Sequence, residues 1–398
     1  MQNDRIFFGA IMMRLFKVFI VLFFSLLIPI HSYAVSNDKI NDLARNFMKE
    51  NQVEGMSVAV LDKNRILILN YGIADEFKKT PVTNDTIYTI ASFSKTVTAT
   101  LAAIASVENK LNLDEPFIQH FPGLNNDKDM GSITTRELLG HVSSLPFDFT
   151  PRPKTYPELV SALNHFDPKW PPGTEYSYSN ASIGVVGYVL QNVYSEKYQD
   201  ILNGKILKPL HMTSTFLTVP AEKEKYIALG HEKDNKIVPY SKDNGVWFAA
   251  ASLKSTISDM AKYLNAHINY ASLQDKNLAR GIAVVHENNY CFADKLSCEQ
   301  LAWQAHVISE LKNSSGDSYF VAYDSNDMPT FARKQIMENG GLDKSKIFID
   351  KTGSGFGMSS YMAYIPADKV GVVILLNKGI ADERIKLGRD ILRSLGSA

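Results

Sequence analysis

Ser92 and Lys95 stand three residues apart in the stretch Ile90-Ala91-Ser92-Phe93-Ser94-Lys95-Thr96-Val97. On a helix, residues i and i+3 share a face, with Cβ atoms about 5–6 Å apart, so a lysine amine reaches a serine hydroxyl. Serine at its free pKa is a poor nucleophile and needs a neighbouring base. A helix N-terminus adds backbone N–H groups and positive dipole that favour a developing oxyanion. Ser92 is thus a candidate nucleophile and Lys95 its activator. The spacing alone is not specific. Ser36/Lys39 and Ser309/Lys312 repeat it, and the ordinary reading of one copy is a solvated helix face.

Two further stretches offer complementary chemistry. In Gly173-Thr174-Glu175-Tyr176-Ser177-Tyr178-Ser179-Asn180, Tyr178 and Asn180 point the same way if the chain is extended. A tyrosine near cations has its pKa lowered and can act as a base, and an asparagine amide can hold a substrate carbonyl. Tyr263-Leu264-Asn265 has the same spacing, so this signal is also weak alone. The second stretch, Lys351-Thr352-Gly353-Ser354, occurs once and ends a predicted strand. A lysine and a hydroxyl there can grip a carboxylate, and Gly353 lets a substrate lie against the backbone. The plain alternative is a strand end with a turn glycine.

The chain that must position these groups has 398 residues, 45% hydrophobic and 21% charged, an ordinary globular composition. Lys+Arg and Asp+Glu are equal at 42 each. The absence of a basic block argues against nucleic acid as the main partner. At the N-terminus, Arg14 and Lys17 precede an uncharged run from Val18 to Ile30, then Ser32-Tyr33-Ala34. This is the three-part pattern of a signal peptide, spanning 1–34, and the run is shorter than the ~20 residues of a membrane span. The alternative is an N-terminal anchor. Met12 or Met13 is a candidate for the true start, since Met1 to Ile11 adds nothing to the signal. Cleavage after Ala34 would leave a catalytic domain of 35–398, periplasmic and not inserted in the membrane. Of the two cysteines, Cys291 and Cys298, either a disulfide closing a short loop or two buried thiols is expected.

Hydrophobic periodicity predicts a helix over 38–51 and a hairpin of strands 56–61 and 66–71. A buried helix runs from Ser92, because its residues are small and apolar. Helices are expected at 135–142, 156–164, 182–194 and 253–270. The stretch 287–327 reads as loop-rich with one helix around 300–311. Strands follow at 346–352, 360–365 and 370–376, with a closing helix over 383–395. Short turns imply an antiparallel sheet. The fold class is therefore α/β (α+β): one sheet from both chain ends, residues 35–90 and about 226–398, flanked by helices, with a mainly helical region at about 91–225 inserted. A cleft at that junction suits a small-molecule site.

Taken together and in this order, Ser-x-x-Lys, Tyr-x-Asn and Lys-Thr-Gly resemble the signature of the serine β-lactamase and penicillin-binding protein superfamily. Tyr178-Ser179-Asn180, in place of Ser-Asp-Asn, looks like the class C β-lactamase branch. Residues 55–60, 111–116 and 360–378 also resemble that family's first strand, the segment after its nucleophile helix and its last hairpin. The resemblance covers nearly all of the mature chain and implies a β-lactamase/transpeptidase-like fold. It implies that Ser92 attacks the lactam carbonyl and is acylated, and that Lys95 and Tyr178 share the proton traffic. It implies an oxyanion hole from the N–H groups of Ser92 and Ser354, an amide contact from Asn180, and carboxylate anchoring by Lys351 and Thr352. Water activated by Tyr178 would release the acyl group. It implies a monomer with no cofactor and no metal, and no two of the nine histidines form a His-x-His pair for zinc.

The chain departs from the class C pattern at three places. Asp148 stands where a glutamine that recognises the substrate amide is usual. Ala251 stands where a tyrosine faces the substrate, with Trp247 or Phe248 as candidates to fill the gap. Gly379 stands where many relatives have a second asparagine. His141 reads as a packing residue. The leading expectation is hydrolysis of penicillins or cephalosporins. The alternatives are a D-alanyl-D-alanine peptidase acting on cell-wall peptides, an esterase, or an acylated sensor.

Overall fold

Nine strands, drawn from the two ends of the chain, form one antiparallel sheet. The computed structural model describes residues 37–395, apart from 126–128, 288, 313–319, 324–328, 332, 338–340 and 381. The expected signal peptide lies outside the described residues. The described residues from Asp38 onward form one compact unit. The chain enters through helix α1 (Asn37–Asn51), then runs through β1 (Gly55–Asp62), β2 (Arg65–Asp75) and the short β3 (Thr80–Pro81). Helix α2 (Ser94–Val107) follows, and after a helical stretch comes α3 (Asn180–Tyr194). Helices α4 (Ile257–Ile268) and α5 (Lys276–Val285) lead into β4 (Tyr290–Cys291), β5 (Ser297–Glu299), β6 (Gln304–Val307), β7 (Ile347–Gly355), β8 (Met358–Ile365), β9 (Val370–Leu376) and α6 (Asp382–Ser394). The strand order is β3-β2-β1-β9-β8-β7-β6-β5-β4, so the two chain ends meet where β1 pairs with β9, Val58 opposite Ile374.

The central strands are buried along their whole length, as expected for a sheet covered on both faces. Alternation decides which helix covers which face. A Cβ on Gly371 would meet Leu264 and Ile268 of α4, while one on Gly388 of α6 would meet Tyr361 and Ile374. Residues 371 and 374 point to opposite faces, so α4 and α6 sandwich the sheet. Helix α2 is buried almost all round, and α5 crosses it at Gly281, where a Cβ would sit 2.7 Å from Ile104 Cγ1.

The hairpin, the closing strands and the helix over Tyr156–Asn164 follow the sequence pattern. Three elements differ. The segment expected as a helix around 300–311 is strand β6 followed by a 3-10 turn over Ile308–Lys312. Pairing of Ala305 with Ile349 and of His306 with Phe348 on β7 overrides its helical spacing. The helix expected over 253–270 begins with the strand Lys254–Thr256, paired to Ile87–Thr89, and becomes helical only once Thr256 caps Asp259 N–H. The helix expected from 135 to 142 stops at Leu139, because His141 adopts a left-handed φ of +56°. Cys291 and Cys298 are joined in a disulfide across β4 and β5.

Candidate active site

Ser92 does not open the α-helix itself. It sits on a single 3-10 turn, Ala91–Phe93, with α2 beginning at Ser94. Ala91 holds a left-handed φ of +47°, which turns the chain sharply before the serine. The i, i+3 relation survives: Lys95 Nζ is 3.1 Å from Ser92 Oγ. Lys95 is fully buried and its ammonium also donates to Asn180 Oδ1 at 2.6 Å and to Ala250 O at 3.0 Å. Tyr178 is a fourth hydrogen-bond partner, so four acceptors share the three hydrogens of Lys95. Burial, with the charge of Lys351, lowers its pKa to about 8, partly opposed by Tyr178.

Tyr178 lies on the segment that leads into α3. Its ring tilts against His141 at 4.5 Å and stacks on Phe147 at 6.3 Å. Lys95 Nζ and Lys351 Nζ lie 4.9 and 5.0 Å from the ring centroid. Burial alone would push the phenol up. The charges of Lys351 and Lys95, with hydrogen bonds to Ser92 and Lys95, win, and the pKa falls to about 8. Two basic groups poised near neutrality therefore flank one serine hydroxyl. Asn180 opens α3 with Ser179 as its cap, Ser182 N–H donating to Ser179 Oγ. Because Asn180 Oδ1 takes the Lys95 hydrogen, its amide NH2 is the donor end of that side chain.

Strand β7 closes the site. A Cβ on Gly353 would lie 2.3 Å from Ile90 O and 3.1 Å from Phe93 N, and one on Gly355 would lie 3.7 Å from Ala91 Cβ. Residues 353–355 therefore run alongside the Ser92 turn, and Ser354 between them is exposed. Ser360 Oγ donates to Ile90 O at 2.9 Å and ties turn to sheet. Among the described residues, β6 pairs with β7 only as far as Asp350. Beyond it no described strand pairs with the outer edge of Lys351–Gly355, which suits an extended ligand. Lys351 lies against the Tyr178 ring, and Thr352 lines the same small cavity as both.

Asp148 is placed differently from an open amide contact. Its carboxylate accepts from Trp247 Nε1 at 2.7 Å and from Phe149 N–H at 2.9 Å, and pairs with Arg152 at 3.0 Å. Burial raises its pKa, against Arg152 and Trp247. Trp247 is itself buried against Gly184, and Phe248 packs on Tyr188 and Tyr198. Gly379 N–H donates to His231 O, away from these groups.

His141 does more than pack, and its part was not legible from one isolated histidine. Its carbonyl accepts from Ser177 N–H at 2.8 Å and its Nδ1 accepts from Ser179 N–H at 3.1 Å. The residue clamps the chain on both sides of Tyr178. Burial, then the charges of Lys95 and Lys351, hold its pKa well below the usual histidine range, so it stays neutral beside two cations. Among the described residues, no group of three or more His, Cys, Asp or Glu side chains is arranged to hold a metal ion.

A family model described as Beta-lactamase matches residues 40–394. The chain is 29% identical to a beta-lactamase of Pseudomonas fluorescens over 360 residues, 89% of this chain and 98% of that protein. It is 28% identical to one of Lysobacter lactamgenus over 393 residues, 96% and 99% of the two chains. It is 27% identical to one of Escherichia coli K12 over 364 residues, 90% and 93%.

Proposed function

The chain belongs to the beta-lactamase family, and on that premise we propose that it is a serine β-lactamase of class C type, hydrolysing the lactam amide of penicillins and cephalosporins through an acyl-enzyme on Ser92. The observation that carries this is Lys95 Nζ at 3.1 Å from Ser92 Oγ, with Tyr178 hydrogen-bonded to both and its pKa near 8. The substrate lies along the open edge of β7, its carboxylate at Lys351 and Thr352 and its side-chain amide at Asn180. Ser92 Oγ attacks the carbonyl carbon while Lys95 and Tyr178 take its proton. The oxyanion forms between the N–H groups of Ser92 and Ser354, beside each other because Gly353 lets β7 close on the turn. The proton passes to the departing lactam nitrogen as the C–N bond breaks. Water, deprotonated toward Tyr178, then attacks the ester carbonyl and Ser92 recovers its proton.

One chain supplies every group, which fits a monomer. No described helix is long and apolar enough to cross a membrane, and the residues before the described chain carry the signal pattern of a periplasmic enzyme. One observation favours a second reading, a D-alanyl peptidase or esterase: the Asp148 carboxylate is committed to Trp247 and Arg152 and does not replace the amide-recognising glutamine. Chromogenic cephalosporin turnover, with intact mass followed in time, separates them. Fast colour with a transient adduct supports the β-lactamase. A stable one-to-one adduct with little colour supports the alternative.

A further inference from the structure

Behind Lys351 lies a second layer of polar groups that the hydrolytic cycle does not use. A cavity of about 30 Å³ is walled by Tyr178, Glu299, Gln304, Lys351 and Thr352, among others. That exceeds the roughly 10–15 Å³ that one water needs, and its walls are polar, as a bound water requires. Lys351 is largely buried. Its ammonium lies 5.0 Å from the Tyr178 ring centroid, and no described side chain hydrogen-bonds it. Glu299 is buried on β5, its Oε2 accepting from Gln304 Nε2 at 3.1 Å.

The other charged groups around the cavity are spoken for. Asp350 accepts from His306 at 3.2 Å and Tyr361 at 2.8 Å and pairs with Arg389 at 3.4 Å. Despite burial, these partners hold its carboxyl well below the usual range. Lys334 sits over the Phe292 ring at 4.7 Å, and Tyr176 completes the wall. Glu299 is the buried carboxyl left facing Lys351. Burial pushes its pKa well above the usual value, opposed first by the charge of Lys351 and then by Gln304 and Lys334.

We propose that Glu299 is a positioning residue that competes with the substrate carboxylate for the Lys351 ammonium, through a water in the cavity they share, so that anionic substrates bind with uptake of a proton at Glu299. The inference rests on the assignment of Lys351 to the substrate carboxylate. Two carboxylates facing one buried ammonium cannot both stay ionised at low cost. When the substrate carboxylate pairs with Lys351, Glu299 takes a proton from solvent and becomes neutral. When Glu299 is ionised, at higher pH, it holds Lys351 and the substrate must displace it. Affinity for an anionic substrate therefore weakens as pH rises.

The experiment measures KM and kcat from pH 5.5 to 9.5 for wild type and Glu299→Gln, with a chromogenic cephalosporin and its methyl ester. The wild-type KM for the carboxylate is expected to rise at least about fivefold across the range, the low end of a site-to-site coupling. The ester shows no such rise, and Glu299→Gln flattens it for the carboxylate while kcat follows the wild-type pH profile. An equal rise in Glu299→Gln overturns the proposal, because the titrating group is then Tyr178 or Lys95. If that variant does not fold, the wild type decides alone: equal slopes for carboxylate and ester overturn it. No turnover of any β-lactam by the wild type would overturn the functional reading and this inference together. Normal turnover with an unaltered slope overturns only the inference.

Discussion

Replacing Lys351 with methionine removes one of the two charges that keep the Tyr178 phenol near pH 8. The ammonium lies 5.0 Å from the ring centroid. Two unit charges about 6 Å apart at an effective permittivity near 20 interact by about 3 kcal/mol, roughly two pKa units. Part of this returns through Lys95. The Lys351 charge helps to depress Lys95, so without it Lys95 holds its own proton more firmly and keeps supporting the phenolate. The net expectation is a Tyr178 midpoint raised by about one to two units, which cuts the phenolate fraction at pH 7 by about 10- to 100-fold. The assay is titration of the phenolate absorbance band. Because the chain has 18 tyrosines, each curve is taken as a difference against the matching Tyr178→Phe background. Lys351→Arg keeps the charge and should leave the midpoint in place. A midpoint that stays put in Lys351→Met, or that moves as far in Lys351→Arg, would refute the electrostatic account of Tyr178.

Three further outcomes follow from the geometry. Gly353→Ala places a Cβ 2.3 Å from Ile90 O and Ser360 Oγ, so β7 must retreat from the Ser92 turn. Acylation by a β-lactam, followed by intact mass, should slow by about 100-fold, the cost of a displacement near 1 Å. Ala91→Gly relieves a left-handed φ of +47° and should stabilise the fold by about 0.5–1 kcal/mol, read from the urea midpoint at constant slope. His286 is partly buried, its pKa pushed down to about 4 by desolvation, and it pairs with His267 at 2.8 Å. A depressed histidine stabilises the fold above its unfolded pKa of about 6.5, and that contribution is lost as pH falls toward 4, up to about 3 kcal/mol. Urea midpoints at pH 7 and 4.5 check this, and His286→Gln should flatten the difference.

Much of this arrangement was readable from the chain because local chemistry and global fold agree in it. The runs Val58–Leu61 and Val370–Leu376 are short, apolar and bounded by turns, as interior strands are, and turns as short as the one before Val370 impose antiparallel pairing. Ser92, Lys95, Tyr178 and Lys351 stand out only when their three motifs are taken together and in order, through resemblance to a known signature, and the structure brings all four side chains together. What stayed illegible depends on long-range packing. The residues around Ala305 carry helical spacing, and only their pairing with Ile349 makes them a strand. The clamp that His141 places on Ser177 and Ser179 is made by one backbone carbonyl and one ring nitrogen, neither with a sequence pattern. Asp148 occupies the expected segment, yet Trp247 reaches it from 99 residues away. The Glu299 cavity is formed by strands, loop and helix that no local motif joins.

The central claim is that Ser92 is the nucleophile. The measurement is peptide mapping of the purified protein quenched early in reaction with a slowly released β-lactam, beside Ser92→Ala. The account predicts one acyl group per chain on the peptide containing Ser92, decaying as product forms, and no adduct in Ser92→Ala. An adduct on any other residue, or one that persists in Ser92→Ala, would contradict it.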